Sequence, residues 1–514
     1  MRQNTTALIG VLACLPLVLL AFGVPIPGLT KGDVRAIAQP VPEGDCELAW
    51  LHTTTNASTW ERFVTGFQRA TLDVPGLTID DSRAFPNDTT TVPEIRMSLE
   101  GHPGRVLIRW YKISNEATHA DWCRVLAARN PSPLAIIGGG SSDRASDLAR
   151  ALQSQTEWQT ARPLLFLTTA SAILVPAPST SPHELNATKQ KLVDLYDDLT
   201  FRFCFSNRQM AEATVEFIWS QPDLSPGKLG EPAFSAAMGA TAVWASKRPH
   251  TILLQWDDDP FSMDLLEEYR GAVYRRASRS GHRAELVKPG ESIPFSIGGF
   301  YAPNRYEQQA ADFVIDELKR NPDRRSLLVL PTVTASARRV LRTICEEMPD
   351  VSDRLVVVNG DGIPMNAIYR DGENVWPIEA LPVPLVIFAH ANPVGWDEIK
   401  DLPTMGIPLL PPTSTEDVLL FSELASVISH CAMTKSGPVA DGAALRASIY
   451  EKYPDEFDSD GNRHFDRGGY IIKLLPKRSR HDAKVEIWSN TGTWEFIRSL
   501  PIPASKSIRS GTVP

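Results

Sequence analysis

Short apolar runs alternate with amphipathic stretches along most of the chain. Residues 134–137 are all apolar, glycine occupies 138–140, and the stretch that follows has apolar residues at positions 145, 148, 149 and 152. A continuous apolar run is typical of a strand buried on both faces, and spacings of three and four residues are typical of a helix with one buried face. The pattern therefore predicts a strand, a tight glycine turn and a helix with a polar start.

The same alternation recurs on both sides of this stretch. Repeated apolar strands with helical connections predict parallel sheets covered on both faces, and the polar residues after each strand then lie at the same sheet edge. The segment 71–104 is rich in Asp, Thr and Pro, and we predict a loop there. We predict strands at 47–51, 105–111, 134–137, 164–167, 201–205, 251–255, 327–330, 355–358 and 385–389, helices at 60–70, 118–129, 210–219, 263–278, 308–319, 335–347, 415–432 and 442–452, and hairpin strands within 458–475 and 484–497.

Length and charge narrow the possible classes of protein. The chain has 514 residues, of which 43% are hydrophobic and 22% are charged. It can bury at least two cores, because single domains usually stop growing near about 250–300 residues. The formal net charge is -9, and no basic cluster is dense enough to neutralise a row of phosphates, which argues against a nucleic-acid partner. Small polar ligands or proteins are the expected partners.

The first residues differ in kind from the rest. An apolar run extends over 7–29 and is interrupted only by glycines and prolines. It predicts an export signal or a membrane anchor within 1–38, with cleavage after Gly23, after Ala38, or not at all. In each case the rest of the chain is expected to be periplasmic or otherwise extracytoplasmic, and any membrane contact is expected through this segment alone.

The cysteines beyond that segment are far apart and odd in number, without a C-x-x-C pair. This usage predicts buried free thiols, with one disulfide as the alternative, and no metal cluster. They are Cys46, Cys123, Cys204, Cys345 and Cys431.

Isolated acidic and histidine side chains lead us to expect no metal and no cofactor. Residues 257–259 are aspartates that could bind a metal, but an acidic cap of the following helix is the favoured interpretation. The acidic run at 456–461 imitates a calcium loop, yet its twelfth position holds Arg467 in place of glutamate. His390 and His464 have no partner at ligand spacing, which favours structural or exposed roles.

The turn after the strand at 134–137 is the strongest candidate for a binding site. Ser141 and Ser142, with the backbone N–H groups of a helix start, can hold a carboxylate at the carboxyl end of a parallel strand, although a plain strand-to-helix connection is the alternative. Asp361 could complement an ammonium across a cleft, or it could cap its own turn. The sequence has no G-x-S-x-G, H-E-x-x-H or P-loop motif and no paired-carboxylate motif, so no enzyme class is indicated.

The order of these segments resembles that of the type I periplasmic binding proteins. This family comprises the leucine- and branched-chain amino-acid-binding proteins of ABC transporters and the extracellular domains of several receptors. The resemblance implies an α/β protein with two Rossmann-like lobes, whose parallel sheets are joined by a hinge of three crossing strands and enclose a ligand cleft. The matching stretches are AIIGGGSSDRASDLARAL with RPLLFLTTASA, LTFRFCFSNRQMAEATVEFI, HTILLQWDDDPFSMDLLEEYRGAVYRRA, and DSDGNRHFDRGGYIIKLL with GTWEFI.

The resemblance also implies boundaries for the two lobes. Lobe 1 would comprise 45–203 with 410–455, and lobe 2 would comprise 204–409 with 456–500, followed by a tail at 501–514.

Ligand contacts are implied from both lobes. In amino-acid-binding members, a serine after the third strand and a small or hydroxyl pair after the fourth hold the ligand on lobe 1. On lobe 2 the family uses an aromatic residue, a polar group and an acid. The matching positions are Ser141 or Ser142 and Ala170 with Ser171 on lobe 1, and Phe261, Thr332 or Thr334, and Asp361 on lobe 2.

The implied function is that of an extracytoplasmic solute-binding protein that captures a small polar ligand, such as an amino acid or amide, for an ABC importer. A membrane-anchored sensing or scaffolding domain of the same fold is the alternative, and retention of 1–38 would favour it. Neither is an enzyme. A secreted hydrolase on a Rossmann-like sheet is the third hypothesis, since one fold can host several functions.

Overall fold

The chain forms two α/β lobes, each built around one large sheet. Among the described residues there is no helix that is both long and apolar enough to cross a membrane. Segment 1–35, which holds most of the predicted export signal or anchor, lies outside the described residues. The computed structural model describes residues 36–53, 57–88, 91–177, 189–196, 198–229, 249–257, 259–294, 303–370, 381–393, 415–464, 469–475 and 484–501.

Strands and helices alternate in both lobes, as the apolar pattern predicts. The strands are β1 (Cys46–Thr53), β2 (Leu77–Arg83), β3 (Glu94–Leu99), β4 (Val106–Ile113), β5 (Ala135–Gly138), β6 (Leu164–Leu167), β7 (Leu174–Pro176), β8 (Lys189–Lys191), β9 (Thr200–Arg202), β10 (Gly227–Lys228), β11 (His250–Leu253), β12 (Trp256–Asp257), β13 (Glu285–Val287), β14 (Ile293–Pro294), β15 (Arg324–Val329), β16 (Leu355–Val358), β17 (Leu385–Ala389), β18 (Met433–Thr434), β19 (Gly437–Pro438), β20 (Tyr470–Leu475), β21 (Lys484–Asn490) and β22 (Trp494–Pro501). The helices are α1 (Ala57–Ala70), α2 (His119–Ala127), α3 (Ser142–Ser154), α4 (Asn207–Ser220), α5 (Pro260–Arg279), α6 (Arg305–Arg320), α7 (Thr334–Glu347), α8 (Met365–Arg370), α9 (Thr415–Ala432) and α10 (Gly442–Lys452), with 3-10 turns at Val193–Tyr196 and Val351–Asp353.

Lobe 1 is built on a seven-stranded sheet with the order β2-β3-β4-β1-β5-β6-β9. Strands β4, β1, β5, β6 and β9 run parallel, and β2 and β3 pair antiparallel at one edge. One face is covered by a core that includes Phe63 of α1, Leu424 of α9 and Ile449 of α10. The other face packs against Leu126 of α2 and Leu148 of α3. The prediction of a parallel sheet buried on both faces is confirmed.

Lobe 2 is built on a nine-stranded sheet with the order β13-β11-β15-β16-β17-β20-β21-β22, and β10 pairs with β15. Strands β13, β11, β15, β16 and β17 run parallel, and the C-terminal strands β20, β21 and β22 are antiparallel, as predicted. Helices α6 and α7 cover one face, and α4 and α5 cover the other. Both lobes share one arrangement: the second parallel strand lies on one side of the first, and the third lies on the other side.

The chain passes between the lobes at three places. The first passage follows β9 through residues 203–206, and the passage after α10 lies beside it, because Arg202 and Asn462 form a parallel bridge. Gly461 has a φ of +77°, and a Cβ there would overlap the carbonyl oxygen of Thr200, so this close approach requires glycine. The remaining passage runs between β17 and α9, where residues 394–414 lie outside the described part of the chain.

One buried carboxylate joins the lobes directly. Asp264, on α5 of lobe 2, accepts the backbone N–H groups of Ile173 and Leu174 in lobe 1 at 2.8 and 3.0 Å, and the side-chain amide of Asn207 at 2.9 Å. Burial raises the pKa of Asp264, although these hydrogen bonds offset part of the effect. Because Asp264 is 3% exposed and a buried carboxylate needs hydrogen-bond donors, the contact fixes how α5 meets lobe 1.

The prediction of a loop over 71–104 is wrong. The segment contains β2 and β3, which pair antiparallel and extend the sheet of lobe 1. A signal was present in the sequence, because Ile95 and Met97 of β3 alternate with more polar residues and are fully buried. An alternation of period two is typical of an antiparallel strand with one buried face.

The five cysteines in the described part of the chain are free thiols. Cys345 is partly exposed and the others are buried. Burial raises the pKa of Cys123 and of Cys345 to about 12, so both thiols stay protonated at neutral pH. The prediction of free thiols is confirmed for these residues.

A buried ionic network fixes the N-terminal segment to lobe 1. The Glu47 carboxylate accepts from Arg109 at 2.6 Å and from Arg129 at 2.7 Å, and its side chain is 0% exposed. Arg109 also donates to the carbonyl groups of Gln39 and Pro40 at 3.1 and 3.0 Å, and Arg129 donates to that of Gln39 at 2.8 Å. Arg109 also pairs with Glu94 at 2.7 Å, so the two guanidinium groups hold two carboxylates and two backbone carbonyls at once.

Glu47→Gln should lower the free energy of unfolding by about 3–5 kcal/mol, because Arg129 loses its counter-charge and Arg109 keeps only Glu94, at 2.7 Å. Urea unfolding followed by circular dichroism measures the change. Arg124→Gln is the control, since it breaks an ion pair with Asp121 in which the arginine side chain is 68% exposed, and it should cost less than about 1 kcal/mol. Similar losses in the two variants would contradict the structural role of Glu47.

Candidate functional site

A cleft of about 530 Å³ lies between the lobes. It is bounded by the carboxyl ends of the central strands of both sheets, β1 and β5 in lobe 1 and β11 and β15 in lobe 2. In each sheet the order of the parallel strands reverses between these two strands. Open α/β sheets bind ligands at this reversal, so the cleft occupies the two positions where the topology favours a site.

On lobe 1 the glycine turn after β5 lies directly against the end of β1. A Cβ on Gly140 would overlap Nε2 of His52, so a side chain at this position would displace the ring. His52 is 7% exposed, and its Nδ1 accepts the N–H of Thr53 at 3.0 Å. Burial, together with the positive charge of Arg144, lowers the pKa of His52 to about 4. The imidazole is therefore neutral at physiological pH, with its proton on Nε2.

The two candidate serines of lobe 1 have different environments. Ser141 is the N-cap of α3 and makes no side-chain cap hydrogen bond, which leaves its hydroxyl available to a ligand. Ser142 is 2% exposed, and its oxygen accepts the N–H of Ala172 at 3.2 Å. Ser141 is thus the better placed of the two for direct contact, while Ser142 supports the neighbouring loop.

Other elements of lobe 1 complete its side of the cleft. Thr168 and Thr169 follow β6 and line the cleft with their hydroxyl-bearing side chains. Arg62 of α1 also lines it and forms an ion pair with Asp417 of α9 at 2.6 Å. This pair connects two helices that are far apart in sequence.

On lobe 2, Asp259 and Phe261 lie at the start of α5 and line the cleft. Asp259 is the N-cap of the helix and accepts the N–H of Phe261 at 3.2 Å, so the prediction of an acidic cap is confirmed for this residue. Burial raises the pKa of Asp259 to about 6, and the negative charges of Asp143 and Asp361 contribute. The hydrogen bond from Phe261 opposes the shift but does not cancel it.

His390 lies at the junction of the lobes and lines the cleft, whereas the sequence favoured a structural or exposed role without a partner. Its Nδ1 accepts the N–H of Phe205 at 3.1 Å, and its Nε2 lies 2.8 Å from the carboxylate of Asp361. An Nδ1 that accepts a hydrogen bond leaves the ring proton on Nε2, where it is donated to Asp361. The ring is 4% exposed, so His390 is buried. Its acidic partner is 29 residues away in the sequence, and the sequence alone did not indicate the pair.

Glu416 connects this junction to lobe 1. It lies in the first turn of α9, and its carboxyl oxygen accepts the backbone N–H of His390 at 2.7 Å. Burial, with the nearby charges of Asp417 and Asp361, raises the pKa of Glu416 to about 8. The carboxyl group is therefore mostly protonated at neutral pH.

Four of the sequence-predicted site residues line the cleft. They follow three separate strands in the two sheets, which agrees with the expectation that the polar strand exits of each sheet lie at the same edge of that sheet. They are Ser141, Ser142, Phe261 and Asp361.

The other four do not line the cleft. Ala170 and Ser171 are 0% and 1% exposed, because the loop after β6 turns inward once Thr168 and Thr169 have lined the cleft. Thr332 is 0% exposed, its carbonyl accepts from the side chain of Asn359 at 2.7 Å, and the next residue, Val333, reaches the cleft in its place. Thr334 begins α7 and does not line the cleft. Each of these positions lies one or two residues along the chain from a residue that does line the cleft.

Sequence reasoning assigned ligand contact to none of the remaining lining residues, although Gly140 and Asp259 lie in stretches that it discussed. The end of β1 could have been found by the strand-exit rule, since a polar stretch follows the first predicted strand. The residues of α1 and α9 had no such signal, because they are brought to the cleft by tertiary packing. The missed residues are Trp50, His52, Thr59, Arg62, Gly140, Asp143, Arg144, Thr168, Thr169, Asp259, Val333, Gly362, Pro364, His390, Glu416, Asp417 and Phe421.

No protein-family model matches the sequence, and no curated protein matches it. Solved structures do share its architecture. A branched-chain amino acid ABC transporter periplasmic ligand-binding protein from Burkholderia xenovorans is 11% identical, with 90% of this chain and 96% of that chain aligned at a TM-score of 0.50. An ABC transporter substrate-binding protein from Desulfitobacterium hafniense, in complex with Leu, is 11% identical, with 88% of this chain and 100% of that chain aligned at a TM-score of 0.49.

The Burkholderia protein and the two repeated sheets agree on the architecture. The chain has the type I periplasmic binding protein fold, with two Rossmann-like lobes joined by crossing strands. The predicted fold class and the predicted resemblance are confirmed. At this level of identity the likeness describes the fold alone.

Asp259→Asn should stabilise the protein at pH 7.5 and have little effect at pH 4. The folded-state pKa of Asp259 is raised from 3.8 to about 6, so ionisation disfavours the folded state, and this penalty grows as the pH rises from about 4 to above 6. Asparagine keeps the cap but removes the charge, so the free energy of unfolding should rise by about 1–3 kcal/mol at pH 7.5. Urea unfolding at the two pH values measures the difference.

Asp441→Asn is the matched control for this prediction. Asp441 is also a helix N-cap, accepting the N–H of Ala444 at 2.9 Å, but it does not line the cleft. A loss of stability in Asp259→Asn at both pH values, or the same gain in Asp441→Asn, would contradict the prediction.

Proposed function

We propose that this chain is an extracytoplasmic solute-binding protein that captures a small polar ligand in the cleft between its lobes. The observation that carries the proposal is the position of the cleft at the strand-order reversals of both sheets, with lining residues from each lobe. A ligand there would contact both lobes and favour their closure around it.

The lining of the cleft suits a small polar molecule. The hydroxyl groups of Ser141 and Thr168 can donate or accept hydrogen bonds, and Phe261 provides an apolar surface. The Thr169 hydroxyl donates to the Gly139 carbonyl at 3.4 Å and can accept from a ligand. A volume of about 530 Å³ lies within the range of about 300–1,000 Å³ that is common for small-ligand sites. Ser141 and Phe261 remain our proposed ligand contacts from the sequence, with Asp361 positioned beside them by His390.

We propose that the protein delivers the captured ligand to an ABC importer. The Burkholderia protein of the same fold is described as a periplasmic ligand-binding protein of a branched-chain amino acid ABC transporter. The apolar run at 7–29 supports export of this chain. We propose that the lobes, at 45–203 with 410–455 and 204–409 with 456–500, close on the ligand and present it to a permease.

A membrane-anchored sensor of the same fold is the second candidate. One observation favours it: Gln39 and Pro40 are held on lobe 1 by Arg109 and Arg129. A retained N-terminal anchor would then connect to lobe 1 through a fixed segment and not through a loose linker. The mass of the mature protein, which shows whether 1–38 is kept, separates this candidate from the secreted binding protein.

The hydrolase hypothesis receives no support from the one arrangement that resembles a catalytic series. Ser326 Oγ lies 2.8 Å from Nδ1 of His250, and Nε2 of His250 lies 3.5 Å from the carboxylate of Glu317. Ser326 and His250 are both 0% exposed. They lie near the starts of β15 and β11, whereas the cleft lies at the carboxyl ends of the same strands. A buried structural network accounts for this series.

A ligand screen tests the proposal. The full-length protein is heated with amino acids, amides, short peptides, sugars and anions, and a ligand at a hundred times its dissociation constant should add about 2.7 kcal/mol of stability. For any ligand found, Gly140→Ala should reduce the affinity at least tenfold, because the added methyl group displaces His52 from the wall of the cleft.

Gly290→Ala is the matched control for this substitution, since a Cβ there meets nothing within 4 Å. It should leave the affinity unchanged. A well-folded protein that binds no compound in the screen would overturn the solute-binding proposal, and a ligand equally affected by both substitutions would place binding elsewhere.

A further inference from the structure

The charges that line the cleft are unbalanced. Glu416 is mostly protonated at neutral pH, so four carboxylates face two guanidinium groups, and the His52 imidazole that also lines the cleft is neutral at physiological pH. The carboxyl groups belong to Asp143, Asp259, Asp361, Glu416 and Asp417, and the guanidinium groups belong to Arg62 and Arg144. Such a lining favours a ligand with positive charge over an anion.

Two of the carboxylates are engaged by the protein. Asp417 forms an ion pair with Arg62 at 2.6 Å, and Asp361 lies 2.8 Å from Nε2 of His390. The acid that the sequence assigned to a ligand ammonium is therefore already hydrogen-bonded. Its carboxylate can support the charge of the cleft, but it is not the first partner that a ligand would meet.

The carboxylates of Asp143 and Asp259 lie on opposite sides of the cleft. Asp143 is in the first turn of α3 in lobe 1, and Asp259 is the N-cap of α5 in lobe 2. In the described part of the chain, neither forms an ion pair within 4.0 Å. Burial is the main cause of the raised pKa of Asp259, and the negative charge of Asp143 adds to it, as expected for two like charges that line one cleft. A cation placed between them would replace this repulsion with two attractive contacts.

The remaining lining distinguishes an organic cation from a metal ion. The described residues contain no group of three or more histidine, cysteine or acidic side chains close enough to hold a metal. Phe261 instead provides aromatic surface, which suits the carbon substituents of an ammonium group and attracts its charge. Trp50 and Phe421 also line the cleft but are only 1% and 2% exposed.

We infer that the solute is an organic cation whose ammonium group binds between Asp143 of lobe 1 and Asp259 of lobe 2. The inference rests on the proposed solute-binding function and names the chemical class of its ligand. The ammonium is the group that binding requires, because it is the group that contacts both lobes. A carboxylate on the ligand is optional, and Arg144 beside Asp143 is its partner.

Calorimetric titration of the full-length protein at pH 7.5 tests the inference with three carbon skeletons, each offered as an amino acid, an amino alcohol and a carboxylic acid without the amine. The probes are leucine, leucinol and 4-methylpentanoate; phenylalanine, phenylalaninol and 3-phenylpropanoate; and norleucine, norleucinol and hexanoate. We expect at least one amine to bind, its amino alcohol to bind within tenfold of the amino acid, and the acid without the amine to bind at least tenfold more weakly.

The variants connect this preference to the two carboxylates. Asp259→Asn and Asp143→Asn should each weaken binding of the amines at least tenfold, and Asp441→Asn should leave it unchanged. Circular dichroism and the unfolding midpoint show whether each variant is folded. If one of the two cleft variants does not fold, the other still tests the inference.

The outcomes separate the two proposals. If an acid without an amine binds as well as its amino acid, or if both cleft variants keep the original affinity, the organic-cation inference is overturned while the solute-binding function stands. If none of the probes binds and the wider ligand screen also finds nothing, the solute-binding function fails and the inference fails with it. A ligand from the wider screen that lacks a cationic nitrogen would overturn the inference alone.

Discussion

The buried carboxylate of Asp264 sets the relation between the two lobes, and the cleft depends on that relation. Asp264 belongs to the same helix that presents Asp259 and Phe261 to the cleft, while its hydrogen-bond donors, Ile173 and Leu174, follow the loop that presents Thr168 and Thr169. The opposing walls are therefore connected through one contact a few residues behind the lining. Separation of the lobes at this point would break both hydrogen bonds to a buried carboxylate, whereas a rotation about the contact can keep them.

The cleft combines features that oppose stability with features that favour binding. Burial, with a contribution from neighbouring carboxyl groups, raises the pKa values of Asp259 and Glu416, and the hydroxyl of Ser141 makes no helix-cap hydrogen bond. A chain selected only for stability would not retain such an arrangement. A ligand of the complementary charge would make the electrostatic free energy of these carboxyl groups favourable. The rest of the fold compensates, since both sheets are covered on both faces by apolar cores.

The sequence predicted the fold in outline because each apolar run marks a buried strand and each polar exit marks one sheet edge. The same rule located Ser141, Phe261 and Asp361 at the cleft. It failed by one or two residues at Ala170, Ser171, Thr332 and Thr334, because the pattern does not reveal where a loop turns back into the core. It failed altogether for the pairs Arg62 with Asp417 and Asp361 with His390, whose members are brought together only by tertiary packing. The edge strands β2 and β3 were missed because prolines and aspartates around them outweighed a short alternation.

The core of lobe 1 has a consequence for how the molecule is made. Its sheet is complete at Arg202, but helices α9 and α10, which cover one face of that sheet, begin only at residue 415. Lobe 1 cannot bury its apolar face until nearly the whole chain has been synthesised, and these contacts span more than half of the sequence. Long-range contacts of this kind slow folding. Lobe 1 is therefore expected to fold after synthesis of the chain, and not during it, with its apolar sheet face waiting for partners from the C-terminal part.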